Sequence, residues 1–198
     1  MLNSVHSLLI LIRIGKKAKY IPNRGTWTSK QKQEASELQP YGSPMLDYVD
    51  RDGKVIDWSD MGIFLSVPPS ATSSPVRVHV QCFLNGPGSV TLPDNMELVS
   101  PIYKVDISPD LSKEAKFSVA HFAALHSEVD CSDMDFLHST DRSPPYHFYP
   151  VPGGKFLSHG ALGTIAISTF SRWTIGKRKR SASDRGESAP LTAKQPKG

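Results

Sequence analysis

The 198-residue chain carries 23 Lys/Arg against 19 Asp/Glu and a hydrophobic share of 38%, enough for one ordinary domain plus tails but low for a chain packed from end to end. The charge is segregated: residues 1–40 hold seven Lys/Arg against two Asp/Glu, residues 172–198 eight against two, and residues 41–171 eight against fifteen. A nucleic-acid binder carries its basic surface on the fold, where it can track phosphates, so this distribution excludes that class and leaves the ends a loose attraction to polyanions or an acidic membrane face.

The run Leu8-Leu9-Ile10-Leu11-Ile12 is followed by Arg13 and by Lys16-Lys17, so it falls well short of the roughly 18–20 apolar residues that cross a bilayer. Met1 to Ser7 holds no Lys or Arg, whereas a secretory signal places positive charge ahead of its apolar run. Thr26 to Pro40 is rich in Ser, Gln, Lys and Glu and reads as a solvated linker. From Gly42 onward short alternating runs and turn residues follow one another, the signature of an all-β domain.

Val76, Val78, Val80 and Cys82 alternate with Arg77, His79 and Gln81, which predicts a half-buried strand. Asn85-Gly86-Pro87-Gly88 supplies a turn after it. Met96 to Ile107 predicts an extended stretch in which Pro101 must occupy an edge, a bulge or a strand start, because it has no ladder donor. Lys116–Ala120 and Thr164–Phe170 alternate again, and Arg172–Ile175 closes the series. Ser127 to Pro152, with Pro144-Pro145 and the aromatics Tyr146, Phe148 and Tyr149, reads as a long covering loop with one or two short strands. These elements predict a two-sheet antiparallel β-sandwich or open barrel over residues 41–176, with residues 1–40 a basic linker and residues 177–198 a disordered basic tail.

Three segments resemble a known module. Gly62-Ile63-Phe64-Leu65-Ser66-Val67-Pro68-Pro69-Ser70-Ala71 is similar to the glycine, apolar strand and Pro-Pro-Gly-Ala turn of a ZU-five domain. That module is shared by zonula occludens scaffolds, ankyrins and uncoordinated-type netrin receptors. Ser100-Pro101 within Leu98–Tyr103 resembles its apolar-Ser-Pro-apolar signature, and Phe170-Ser171 before Arg172–Ile175 resembles its closing strand. The likeness covers residues 45–176 and departs from the family at Ser70, where glycine is usual, and at Thr169, where some members have histidine. It implies an intracellular binding platform, within a longer protein or standing alone, that acts on other proteins at the cytoplasmic face of a membrane or in the cytosol.

Some relatives cut their own chain within His-Phe-Ser, and the resemblance makes Phe170/Ser171 the corresponding bond. A serine hydroxyl needs a neighbouring base to attack the preceding carbonyl. Here Thr169 cannot supply one, and His121-Phe122-Ala123 has the imidazole without the hydroxyl; His159 and His121 are the nearest substitutes in the chain. A second constellation, His126, Cys131, Asp133, Asp135 and His138, has ligand-type residues but no structural zinc spacing, and reads as a polar loop. Cys82 and Cys131 lie outside any paired motif; a disulfide between them stays open, while the low count suits a reduced compartment. Lys177-Arg178-Lys179-Arg180 is a short basic run that an import receptor or anionic lipid could read, and Ser181 and Ser183 beside it are modifiable. The expectation is a non-enzymatic scaffold or adaptor module with no cofactor and no metal, binding proteins through strand edges and loops, its acidic middle favouring basic partners. Self-cleavage at Ser171 and membrane contact through the basic ends are the alternatives.

Overall fold

The computed structural model describes residues 38–84 and 89–180. The apolar run at Leu8–Ile12, most of the linker, the turn at 85–88 and the tail from Ser181 lie outside the described residues.

In chain order the elements are β1 (Gln39–Val49), β2 (Lys54–Trp58), β3 (Ile63–Val67), β4 (Val76–Leu84), β5 (Val90–Thr91), β6 (Met96–Leu98) and β7 (Ile102–Ser108). After these come β8 (Ala115–Ala120), the short helix α1 (Glu128–Ser132), β9 (Met134–Ser139), β10 (Tyr146–His147), β11 (Tyr149–Val151), β12 (Lys155–Phe156), β13 (Leu162–Ile167) and β14 (Arg172–Arg178). They form two large antiparallel sheets packed face to face, with no closed barrel. The first has the order β1-β4-β7-β14-β9-β11, with β6 also paired to β14; the second runs β12-β13-β8-β3-β2. Strands β5 and β10 make a small parallel pair of their own.

Period-two alternation explains the packing. On β4, Val76, Val78, Val80 and Cys82 are buried while Arg77 points to water. Their partners across the ladder, Ile107, Val105 and Tyr103, face the same way. Opposite them the second sheet supplies Ile63, Leu65, Phe117, Val119, Ile165 and Ile167 to one core. Each such side chain, fully buried, contributes about 1.5–3 kcal/mol. Trp173 sits in this core with its ring edge-on to Phe117 at 6.4 Å. The Cys82 thiol is pushed up to about 12 by burial, and both cysteines are free.

A second, smaller core lies on the outer face of the first sheet. Ile102, Leu137, Met96, Phe148 and Leu38 form it. It accounts for two departures from the sequence reading. Leu38 is buried and β1 starts at Gln39, so the fold begins inside the expected linker, ahead of the boundary at 41. Residues 127–152 are not a covering loop with minor strands. They contain β9, an interior strand whose Phe136 enters the main core and whose Leu137 enters the second. With a large buried apolar residue on each face, Phe136 and Leu137, and polar residues on both, it shows no alternation that marks a strand.

Prolines fall where a ladder tolerates them. Pro40 and Pro44 are confined to the edge strand β1, whose register shifts between Tyr41 and Met45 around Gly42 at φ 68. Pro101 immediately precedes β7, as its missing donor requires. At the other boundary β14 runs through Lys177 and Arg178, which pair with β6 and β9. The expected disordered tail at 177–198 therefore starts too early: its first two residues are ladder residues, held by neighbours on both sides.

Candidate functional site

The residues that carried the family resemblance hold the sandwich together. Pro68 and Pro69 lie against the turn between β1 and β2: a Cβ on Gly53 would stand 2.6 Å from the Val67 oxygen and 2.7 Å from Pro69 N. Ser70 occupies the left-handed region at φ 58, where glycine costs less, and its N–H donates to the Arg51 carbonyl at 2.7 Å. Ala71 is fully buried, and its carbonyl accepts from the Ser112 N–H and hydroxyl. An open depression of about 390 Å³ lies here, between Arg51, Thr72 and Asp110. Its Thr72 and Ser112 hydroxyls are turned onto backbone carbonyls, so they do not converge on a ligand.

Ser100 and Pro101 bridge a change of partner. Strand β14 pairs with β7 at Arg172 and Trp173, and with β6 from Gly176 to Arg178. Between them the Ser100 hydroxyl accepts the Ile175 N–H at 2.8 Å and lies 3.0 Å from the Thr174 hydroxyl. A side chain thus fills the ladder position that the proline leaves.

Phe170 packs partly buried against the main core, and the Ser171 hydroxyl donates to the Ser139 carbonyl at 2.7 Å. Among the described residues no imidazole hydrogen-bonds that hydroxyl. Thr169 is exposed. His121 is buried with its ring edge-on to Phe156, and the Ser171 carbonyl is itself taken by the Val105 N–H. Of the two substitutes named for the missing base, His159 pairs its ring with His126 at 6.3 Å. The structure does not bring a base and the hydroxyl together.

The ligand-type residues at 126–138 are also spread. Cys131 is buried, His138 stacks on Trp173 at 4.3 Å, and Asp133 and Asp135 pair with arginines. Among the described residues no three His, Cys, Asp or Glu side chains are grouped to hold a metal ion. The aromatics Tyr146, Phe148, Tyr149 and Trp173 do not share one surface either. Trp173 and Phe148 are buried, Tyr146 lies under the Arg172 guanidinium at 4.0 Å, and Tyr149 is exposed.

Burial holds the imidazoles of His121 and His138 below their ordinary value. Above about pH 6.5 both states of the chain carry them neutral and stability is unaffected; below it the unfolded chain takes up protons first, and stability falls. Urea midpoints should therefore drop between about pH 7 and 5, ahead of the carboxylate window. The drop should shrink in a His121→Phe, His138→Phe variant; an unchanged profile there would mean that other groups set it.

Exposed apolar side chains lie near both lateral ends of the sheets, Tyr149 and Leu157 near β11 and β12, and Leu46, Tyr48 and Val55 on β1 and β2; the second group is set among acids. The outer strands on one side of the two sheets, β1 and β2, are consecutive and joined by a turn at 50–53. Leu46 and Tyr48 project from the outer face of the first sheet with 54% and 58% exposure, and Val55 from the second with 69%. Exposed Asp50, Asp52, Asp57 and Asp60 surround them. On β1 the Tyr48 N–H donates to the Asp47 carboxylate at 2.7 Å, and Lys54 Nζ reaches Asp47 at 2.7 Å and the Tyr48 carbonyl at 3.5 Å. The Lys54 hydrogen bond holds the Asp47 carboxyl below the usual range. Side chains therefore cap β1 at this point, a common guard for an edge strand, while Val55 leaves β2 uncovered. Sequence reasoning passed over these residues because Leu46-Asp47-Tyr48-Val49 is a short run broken by an acid; its value depends on which strands end up outermost.

The fold and this rim define a two-sheet antiparallel β-sandwich with an exposed, acidic, partly apolar edge. No family model matches the chain, and no curated protein matches it in sequence. Among the described residues no helix is long and apolar enough to cross a membrane.

Proposed function

We propose that the chain is a protein-interaction module of the ZU-five kind, a scaffold or adaptor domain that takes an extended, basic and apolar segment of a partner along the β2 edge. The observation that supports this reading most is the rim itself: Val55, 69% exposed on an outer strand, beside four exposed aspartates. An added strand gains main-chain hydrogen bonds from the free edge and selectivity from alternate side chains. Acidic surroundings favour Lys and Arg in that segment and speed its arrival. The motif residues fit the same reading, because Pro68, Pro69, Ala71, Ser100, Pro101 and Phe170 serve packing and bracing, which is what a binding platform asks of its scaffold.

Selection of random displayed peptides against the full chain tests it. Enriched peptides are expected to alternate apolar residues with Lys or Arg. A Val55→Ser, Asp52→Lys, Asp60→Lys variant should bind them about tenfold more weakly, which is about 1.4 kcal/mol. Peptides without that pattern, or with equal affinity for the variant, would refute the assignment.

A further inference from the structure

The basic run Lys177–Arg180 is not a loose tail. Strand geometry sends alternate residues to opposite sides, and here it separates the arginines from the lysines. Arg178 Nη2 lies 2.8 Å from Asp135 Oδ2. Arg180 Nε lies 2.6 Å from Asp133 Oδ2, and its Nη2 3.1 Å from Asp130 Oδ1. The backbone is held too: the Arg178 N–H donates to the Asp133 carbonyl at 2.8 Å, and the Lys179 N–H to the Asn95 carbonyl at 2.7 Å. The three carboxylates come from α1, the turn after it and the start of β9, all at one end of the sandwich.

We propose that this run is a gated contact for an anionic phospholipid surface, in which Asp130, Asp133 and Asp135 occupy Arg178 and Arg180 until lipid headgroups displace them. The geometry favours lipid over an import receptor. A receptor groove reads an extended peptide whose backbone is accessible, and here residues 177–179 are hydrogen-bonded into the sheet. A headgroup layer needs only side chains, and those can swing out while β14 stays in place. The ion pairs are suited to release: the guanidiniums of Arg178 and Arg180 are 58% and 38% exposed, so the pairs are weak and screened by salt. Val129, 62% exposed on α1 next to Asp130, adds an apolar contact on the same end. This contact is independent of what the β2 rim binds.

Sedimentation of the full chain with vesicles of phosphatidylcholine plus phosphatidylserine, beside vesicles of phosphatidylcholine alone, tests the gate. Asp133→Asn with Asp135→Asn frees Arg178 and leaves Arg180 one of its two carboxylates, Asp130, which also accepts from the His126 N–H. Partition onto the anionic vesicles should rise at least about fivefold, the factor that about 1 kcal/mol gives for the one arginine fully released. The control Asp110→Asn with Glu114→Gln makes the same change of charge in the exposed loop at the opposite end of β7 and should raise partition much less. Adding Arg178→Gln and Arg180→Gln to the open variant should cancel the rise, and soluble inositol phosphate in excess should compete if phosphate chemistry alone is read. Residues 1–37 are common to every arm and cancel. An unchanged partition, a rise equal to the control's, a rise that survives loss of both arginines, or binding of the open variant to an import receptor but not to vesicles would overturn the proposal.

Discussion

Gly53→Ala is expected to destabilise the protein by about 3 kcal/mol, lowering its melting temperature by about 10 °C. Gly53 has φ +76, and a Cβ there would sit 2.6 Å from the Val67 oxygen and 2.7 Å from Pro68 C and Pro69 N. Those neighbours are backbone, so relief requires moving the turn that ends β3. Part of the cost is the left-handed conformation, about 1 kcal/mol for alanine; the remainder is overlap. Gly153 separates the two parts, because it has φ +93 with nothing within 4 Å of its Cβ position. Gly153→Ala should therefore cost only the conformational part. Equal losses for both variants, measured by thermal unfolding, would show that the Pro68-Pro69 contact is not what holds the turn. Since Gly53 joins β1 to β2, its substitution should also weaken peptide binding at the rim more than its effect on folding alone explains.

Ser100→Ala should cost about 2–3 kcal/mol, large for the loss of one hydroxyl. The Ser100 hydroxyl accepts the N–H of Ile175, a fully buried residue, at 2.8 Å. Pro101 has no N–H to offer a ladder, and alanine at 100 removes the acceptor of the fully buried Ile175 donor. An orphaned buried donor bears its full desolvation cost, which exceeds the net value of an ordinary hydrogen bond. The expected signature is a lower urea midpoint with an unchanged slope. Ser100→Thr, which keeps the hydroxyl, should recover part of the loss. A cost below about 0.5 kcal/mol would place the Ile175 N–H on another acceptor. Because the brace sits where β14 changes partners, its removal should also loosen the Lys177–Arg180 end and mimic the opened acidic gate in vesicle partition.

These two sites differ in how far they could be read beforehand. The Pro-Pro turn and the Ser-Pro pair stand out in the sequence, but only as resemblances to a family pattern. Their roles depend on residues far off in the chain, Gly53 for the first and Thr174 and Ile175 for the second. Ser70, which stands where the resembled pattern has glycine, takes φ 58, a conformation that glycine adopts at less cost. The Phe170-Ser171 pair was legible only as a resemblance, and the hydroxyl's partner, the Ser139 carbonyl, lies on β9. That strand itself escaped the reading.

Alternation by itself determined the all-β class and the strands within Val76–Cys82, Lys116–Ala120 and Thr164–Phe170, the last of which ends at Ile167, because apolar core residues there alternate with more polar ones and that asymmetry is written in period two. Tertiary structure alone decided the rest. Met134–Ser139 became an interior strand because two cores cover it from both faces. The rim at Val55 became a candidate interface because, among the described residues, no strand lies beyond β2. The basic run lost its freedom because Asp130, Asp133 and Asp135 fold back beside it. Each of these depends on which surfaces meet, and long-range pairing of strands, not the local pattern of any one of them, settles that.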